Sequence, residues 1–396
     1  MYSIRLVVGS KFVRQSVAGC PPRLPGSSTY HQTLLRRYCP PQISARFFAS
    51  KDGDELAASS GDATENKIEP TEALDDDDSP LIVSQFKNQI VHQLWTERHM
   101  AKKGNAKNSK GLSQDPGKGK TPSQSETKVE YPFTSNELLA ESYRSPWNTM
   151  RIGRLLEDLD ALAGNIAFYH VRQEGATEHT VHPLIVTASV DRIQMRNDHS
   201  PTMPADQVLS GRVTFVGTSS MEIRMHCTSV GEEKEWLEAY VTYVTLDPET
   251  KKPMHITPLI PETPQEQADF DLGAKKAALK KKRRKQHQQV KEWVQQHAEI
   301  LLQEARPLLL NMPSLAARDS IQMSATRMQN AMIAQPQVRN LHNRIFGGFL
   351  MRRAFELAFA NAYVFGGARP IFKEVDEISF AAPVDVGTLC SILQIF

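Results

Sequence analysis

Two segments of this 396-residue chain repeat each other in outline, and that repetition limits the fold more than any other feature. "RIGRLLEDLDALA", around Gly153, is answered by "FGGFLMRRAFELA", around Gly348. Val190-Asp191-Arg192-Ile193 is answered by Val375-Asp376-Glu377-Ile378. The glycines lie 195 positions apart and the tetrads 185, so the first copy carries ten more residues between them, which fit its polar "VRQEGATEHT" loop. A unit present twice is an internal duplication. The chain must build two related units.

Each unit reads as one helix followed by strands. Ile152, Leu155, Leu156, Leu159, Leu162, Ala163 and Ile166 recur at helical spacing. "PLIVTASVDRIQM", "LSGRVTFVGTSSMEIRMHCTSV" and "EWLEAYVTYVTLD" follow as strand-like runs, closed by the turn signal Asp247-Pro248. A long helix packed on an antiparallel sheet is an α+β unit. We place the first at 131–262 and the second at 316–396, joined by a basic helical linker over 263–315. The Lys280–Lys285 run in that linker reads as a solvated helix face, since no aromatic residues interleave with it to stack bases. No nucleic-acid partner is expected.

The approach to the first unit is different in kind. Residues 1–51 hold six arginines and two lysines and no acid, the composition of a mitochondrial transit peptide able to form a short amphipathic helix. We assign 1–50 to such a leader and expect import to the mitochondrial matrix. Residues 51–130, with the acidic run Asp75–Asp78 and a Lys/Gly/Ser stretch, read as a disordered low-complexity segment whose one apolar island, "LIVSQFKNQIVHQLW", allows a short helix. No apolar run approaches a membrane span. Cys20, Cys39, Cys227 and Cys390 are scattered, so neither a disulfide framework nor a metal site is expected.

Gly347 and Gly348 stand just ahead of the second helix, and two readings are open. They allow a buried helix to pack closely, or they let a ligand reach the unpaired N–H groups of a first helical turn, where negative charge is favoured. The combination of "RIGRLLEDLDALA", "VTASVDRIQM", "TFVGTSSMEI", "QPQVRNLHNRIFGGFLMRRAFELA" and "VDEISFAAPVDVG" resembles the double-hotdog acyl-coenzyme A thioesterases, in particular the mitochondrial thioesterase 9 group, over about residues 140–396. The resemblance implies a tandem hotdog, each copy a curved antiparallel sheet wrapped round a long central helix. It also implies hydrolysis of acyl-CoA with no metal and no cofactor. Two copies packed as a double hotdog are expected to assemble further through the same sheet surfaces, most simply as a trimer of double hotdogs. One departure stands out: counterparts to "GRVTFVGTSSMEI" and "AYVTYVTLD" are missing before Phe396, and a hotdog sheet without them would expose an edge.

Thioester hydrolysis needs a base that delivers water and donors where the carbonyl oxygen gains charge. A carboxylate seven positions along a helix from its start sits about 10 Å down the axis. Base and donors must therefore come from different helices. Seven positions after Gly348 is Phe355, which is no base; seven after Gly153 is Asp160, which is. Seven before Gly347 is Asn340; the corresponding residue of the first copy is Ser145. One composite site thus keeps Asp160 with Asn340, Gly347 and Gly348, and the other pairs Ser145 with Phe355. The resemblance likewise implies one Asn and one Asp from opposite halves, and it makes Gly217, Ser219 and Ser220 candidates for the CoA tail, with Arg352 a candidate for its phosphates. Glu356 is an alternative base on a different helix face. A non-catalytic acyl-CoA-binding scaffold and a hotdog enoyl-CoA hydratase are the competing functions; the hydratase needs an Asp/His pair, and the nearest following histidine is His170.

Overall fold

The computed structural model describes residues 5–8, 79–107, 119–172, 183–196, 200–232, 234–310, 323–380 and 382–395. In chain order the elements are β1 (Arg5–Val8), α1 (Ser79–Gln85), α2 (Gln89–Lys107), β2 (Thr127–Tyr131), α3 (Glu137–Tyr143), α4 (Ile152–Val171) and β3 (Leu184–Met195). There follow β4 (Gln207–Val216), β5 (Ser220–Ser229), β6 (Glu235–Leu246) and the long α5 (Pro264–Leu310). The second copy supplies β7 (Met328–Ile333), α6 (Gly347–Gly366), β8 (Glu374–Val375), β9 (Glu377–Phe380) and β10 (Leu389–Gln394).

The first copy has the expected hotdog form. α4 lies against a sheet in which β2, β4, β5, β6 and β3 are successive antiparallel neighbours. Its Leu155, Leu162 and Ile166 are wholly buried, and the inward residues of the sheet, Leu209, Val213, Ile223, Met225 and Leu237, are equally inaccessible. Gly211 marks the closest approach of helix and sheet. A β-carbon there would meet Met225 at 2.5 Å and Ile166 at 3.1 Å. Removal of this apolar surface from water is the main stabilising term of the unit.

The tetrads that defined the repeat meet one another. β3 and β9 pair antiparallel with Val190 opposite Ile378, and β8 continues the pairing with Val375 opposite Ile193. Each Val of one copy thus faces the Ile of the other, which is the pairing a local two-fold axis requires. The sheet runs from one copy into the next. β7 and β10 form a separate antiparallel pair beside α6.

Three expectations need correction. The segment 51–130 is not featureless: α1 and α2 dock on the core, with Ile90, Val91 and Leu94 buried and Asn165 donating to the Leu94 carbonyl at 2.8 Å. The apolar island was too short to fold alone, but α4 gives it a surface to cover. The first unit also begins before 131, since β2 starts at Thr127. In the leader, the described residues Arg5–Val8 form a strand parallel to β9 rather than a helix; the remainder, including most of 1–50, lies outside the described residues. The linker helix, for its part, is anchored at its start. Glu266 pairs with Arg212, Lys276 with Glu222 at 3.3 Å, and Lys280, first of the basic run, with Asp191. Among the described residues no helix is long and apolar enough to cross a membrane.

Candidate active site

Helices α4 and α6 pack against each other across the local two-fold, so each helix start faces the middle of the other helix. The two loops ahead of them have the same conformation. Ser145 donates its N–H to the Thr149 carbonyl at 2.8 Å, as Asn340 does to that of Arg344 at 2.5 Å. Asn148 and Asn343 both adopt the left-handed conformation, at φ of 56° and 57°. The scaffold is shared; the side chains decide what each half-site can do.

On one side Asp160 reaches the start of α6. Its Oδ2 accepts the backbone N–H of Gly348 at 2.6 Å, and its Oδ1 accepts Thr187 Oγ1 at 3.0 Å and the Tyr243 hydroxyl at 3.2 Å. Asp160 is 5% exposed. Burial pushes its carboxyl above the usual carboxylate range, opposed by the hydrogen bonds from Thr187, Gly348 and Tyr243. A base poised closer to neutrality is what general-base chemistry requires.

The glycine pair lets the two helices pack closely and brings the Asp160 carboxylate to the start of α6. A β-carbon on Gly348 would lie 2.8 Å from the Glu157 Cα, and one on Gly347 would lie 2.9 Å from Asp160 Oδ2. Any side chain at either position would hold the two helices apart and the carboxylate off the helix start. α6 has no capping side chain of its own at Phe346, so Asp160 fills that role from the other copy.

Asn340 sits at the mouth of the same loop. Its Oδ1 accepts the N–H groups of His342 at 2.8 Å and Arg344 at 3.1 Å, so its carbonyl shapes the loop. It shares no hydrogen bond with Asp160 among the described residues. Gly348 was expected as an oxyanion donor, and here its N–H holds the carboxylate instead. Gly217 and Ser219 lie in the β4–β5 turn and Ser220 opens β5: Gly217 N–H donates to the Ser220 carbonyl at 2.7 Å, and the Ser219 carbonyl accepts from the Thr245 N–H at 3.0 Å. Arg352 is committed elsewhere. Its guanidinium pairs with Glu157 at 3.3 Å and Glu356 at 3.0 Å, so it is not available as expected for a phosphate.

Glu157 and Arg352 are equivalent positions of the two copies, 195 residues apart. On a true two-fold two identical residues would meet there; duplication allowed opposite charges. On the other side Phe355 stands where Asp160 would be, and Glu356 is held by Arg151 at 2.6 Å as well as by Arg352. Burial pushes Glu356 up, yet these bonds and charges hold its carboxyl below the ordinary value. It is a poor base. His170, the histidine relevant to a hydratase, bonds the Thr257 carbonyl at 3.0 Å and is pushed down to about 4 by burial.

Two groups escaped the reading of the sequence. Thr187 and Tyr243 hold Asp160 from β3 and β6; inward polar residues in otherwise apolar strands were the available signal. The second is Asp158, wholly buried, which accepts hydrogen bonds from Tyr143, Tyr131 and Asn88 at 2.5, 3.0 and 2.9 Å.

No family model matches the chain. Among curated proteins it is 42% identical over 276 residues to the chloroplastic acyl-coenzyme A thioesterase 2 of Humulus lupulus, covering 68% of this chain and 62% of that protein. To the mitochondrial acyl-coenzyme A thioesterase 9 of Bos taurus it is 38% identical over 298 residues, 72% of this chain and 65% of the other. To the acyl-CoA thioester hydrolase YkhA of Bacillus subtilis, named as uncharacterized, it is 33% identical over 148 residues, 36% of this chain and 77% of the other. The chain belongs to the acyl-CoA thioesterase family. It spans 58–65% of the length of the first curated thioesterases it matches. Among the described residues, the two half-sites differ: on one side the buried carboxylate of Asp160 meets a helix start, and on the other Phe355 takes its place.

Proposed function

We propose that this chain hydrolyses acyl-CoA thioesters to a free fatty acid and coenzyme A at the Asp160–Gly348 junction. The observation that carries the reading is the buried carboxylate of one copy held against the first turn of the other copy's helix. Asp160 takes a proton from a water molecule as the water oxygen attacks the thioester carbon. In this proposal the negative charge that develops on the carbonyl oxygen is received by the Gly347 N–H, at the positive end of the α6 dipole, and by the Asn340 amide N–H. Collapse breaks the C–S bond, and the proton on Asp160 passes to the departing CoA sulfur. Thr187 and Tyr243 keep the carboxylate in place throughout.

The acyl-CoA tail follows the β4–β5 turn at Gly217, Ser219 and Ser220 in this proposal. The acid-free composition of residues 1–51 and the mitochondrial names of several relatives support residence in the mitochondrial matrix. A trimer of double hotdogs is the proposed assembly. Purified full-length chain assayed against acyl-CoAs of graded chain length, with thiol release as readout, tests the activity; no turnover with any chain length refutes it. Fusing residues 1–51 to a fluorescent reporter tests the localisation, and diffuse cytosolic signal defeats it. Light scattering that reports only monomer rules out the trimer.

A further inference from the structure

The half-site without a base is not filled in. A cavity of about 250 Å³ lies between the loop 145–153 and the middle of α6, at the place related by the local two-fold to the Asp160 site. Its wall is a run of aromatic rings in contact. Trp147 meets Phe359 at 5.6 Å between centroids, Phe359 meets Phe355 at 6.0 Å, and Phe355 meets Phe372 at 5.4 Å. Met150 and Met195 extend the apolar wall, and Ser145, Thr149, Arg151 and Glu356, the last held by its arginines, form the polar side. Trp147 and Ile371 remain 39% and 51% exposed at its edge, so a substantial apolar surface is left to water.

The same cavity also has a cation beside it. The Arg369 guanidinium lies 4.6 Å from the Trp147 ring and touches Thr149 Oγ1 at 3.4 Å. Among the described residues no carboxylate pairs with it, in contrast to Arg151 and Arg352, which both hold Glu356. A stacked, unneutralised guanidinium at the rim of an aromatic pocket suits a ligand that is apolar at one end and anionic at the other.

We propose that this half-site is a non-hydrolysing binding pocket for an aliphatic chain with an anionic head, the chain lying along Phe355, Phe359 and Phe372 and the head on Arg369. Phe355 removes the base, and Glu356 is neutralised by its arginines, so a thioester bound here would persist. Two sources share this chemistry: a free fatty acid, and the acyl chain and phosphates of an acyl-CoA. The pocket then senses either product or substrate at a distance from the reacting centre.

Calorimetric titration of the full-length chain separates these cases without relying on turnover. Dodecanoate is one probe; a non-hydrolysable dodecyl-CoA thioether is the other, read by its stoichiometry beyond the first equivalent. Saturable binding of either supports the pocket, and the probe that saturates identifies the source. Arg369→Gln, at an exposed position, should weaken that binding about tenfold, the loss of one charge-assisted hydrogen bond. Phe355→Trp should abolish it by occupying the cavity. Asp160→Asn should leave it unchanged. Absence of saturable binding by both probes overturns the proposal. So does binding that is lost in Asp160→Asn and intact in Arg369→Gln, which would assign it to the hydrolytic site.

Discussion

Asp160 and Gly348 are joined by a 2.6 Å hydrogen bond across 188 residues of sequence, the carboxylate of one copy capping the helix of the other. Replacing Asp160 by Asn preserves size and leaves an oxygen that can still accept the Gly348 N–H. Folding should therefore survive while activity falls, by about 10²–10⁴ for loss of a general base. The pH profile of the parent chain's proposed activity carries a second sign. The Asp160 carboxyl is raised by burial, so activity should climb with pH through an acidic limb above the usual carboxylate range. Wild-type kcat/KM in Asp160→Asn would remove this residue from the chemistry.

Gly348 tests the junction from its other side. A β-carbon there would sit 2.8 Å from the backbone of α4 at Glu157, and backbone cannot give way as a flexible side chain can. Gly348→Ala should push α6 outward, costing about 1–3 kcal/mol as overpacking does, and it should draw the amide away from Asp160. Denaturation midpoint and kcat are expected to fall together. A variant that loses neither would show that the helices are not this close.

How much of this could be read from the sequence depends on whether a residue's partner was local. The repeat, α4 and the equivalence of the two Val-Asp-x-Ile segments were legible because periodicity and spacing are written along the chain; that these strands pair with each other was not. Asp160 was singled out because comparing equivalent positions exposed an asymmetry with Phe355. The docking of α2 was not legible: Leu94 and Trp95 gain their burial from α4 and from Phe346, which meets Trp95 edge-on at 5.2 Å. A composition window cannot show a partner 251 residues away. The commitment of Arg352 to Glu157 was hidden for the same reason.

That docking has a measurable consequence. Leu94 is fully buried on a helix the sequence presents as marginal. Leu94→Ala should cost about 2–5 kcal/mol, as buried Leu truncations do, and chemical denaturation of the full-length chain reads it. A change within about 0.5 kcal/mol, the range of surface substitutions, would show that 79–107 is an appendage and not part of the fold.

Asp158 binds the same segment through Asn88 and should make stability depend on pH. Burial pushes its carboxyl up to about 7, against the hydrogen bonds of Tyr143, Asn88 and Tyr131, which favour the charged form. An unfolded aspartate titrates near about 3.9. Between those values the folded chain keeps a proton that the unfolded chain has released, so raising the pH favours unfolding. The contribution is fully present below about pH 4 and is lost as pH rises through about 7. Three pKa units correspond to about 4 kcal/mol. Asp158→Asn keeps the shape, and the tyrosine hydroxyls can turn to meet an amide, so the variant should lack this dependence. Other buried groups are shifted too, Asp160 upward and His170 down to about 4, both by burial; subtracting the variant's stability curve from the parent's isolates Asp158. The difference should shrink steadily from pH 4 to pH 8 in the parent's disfavour. A difference that is flat over that range, or that grows in the parent's favour, would mean Asp158 is charged in the folded state and that its three donors outweigh its burial.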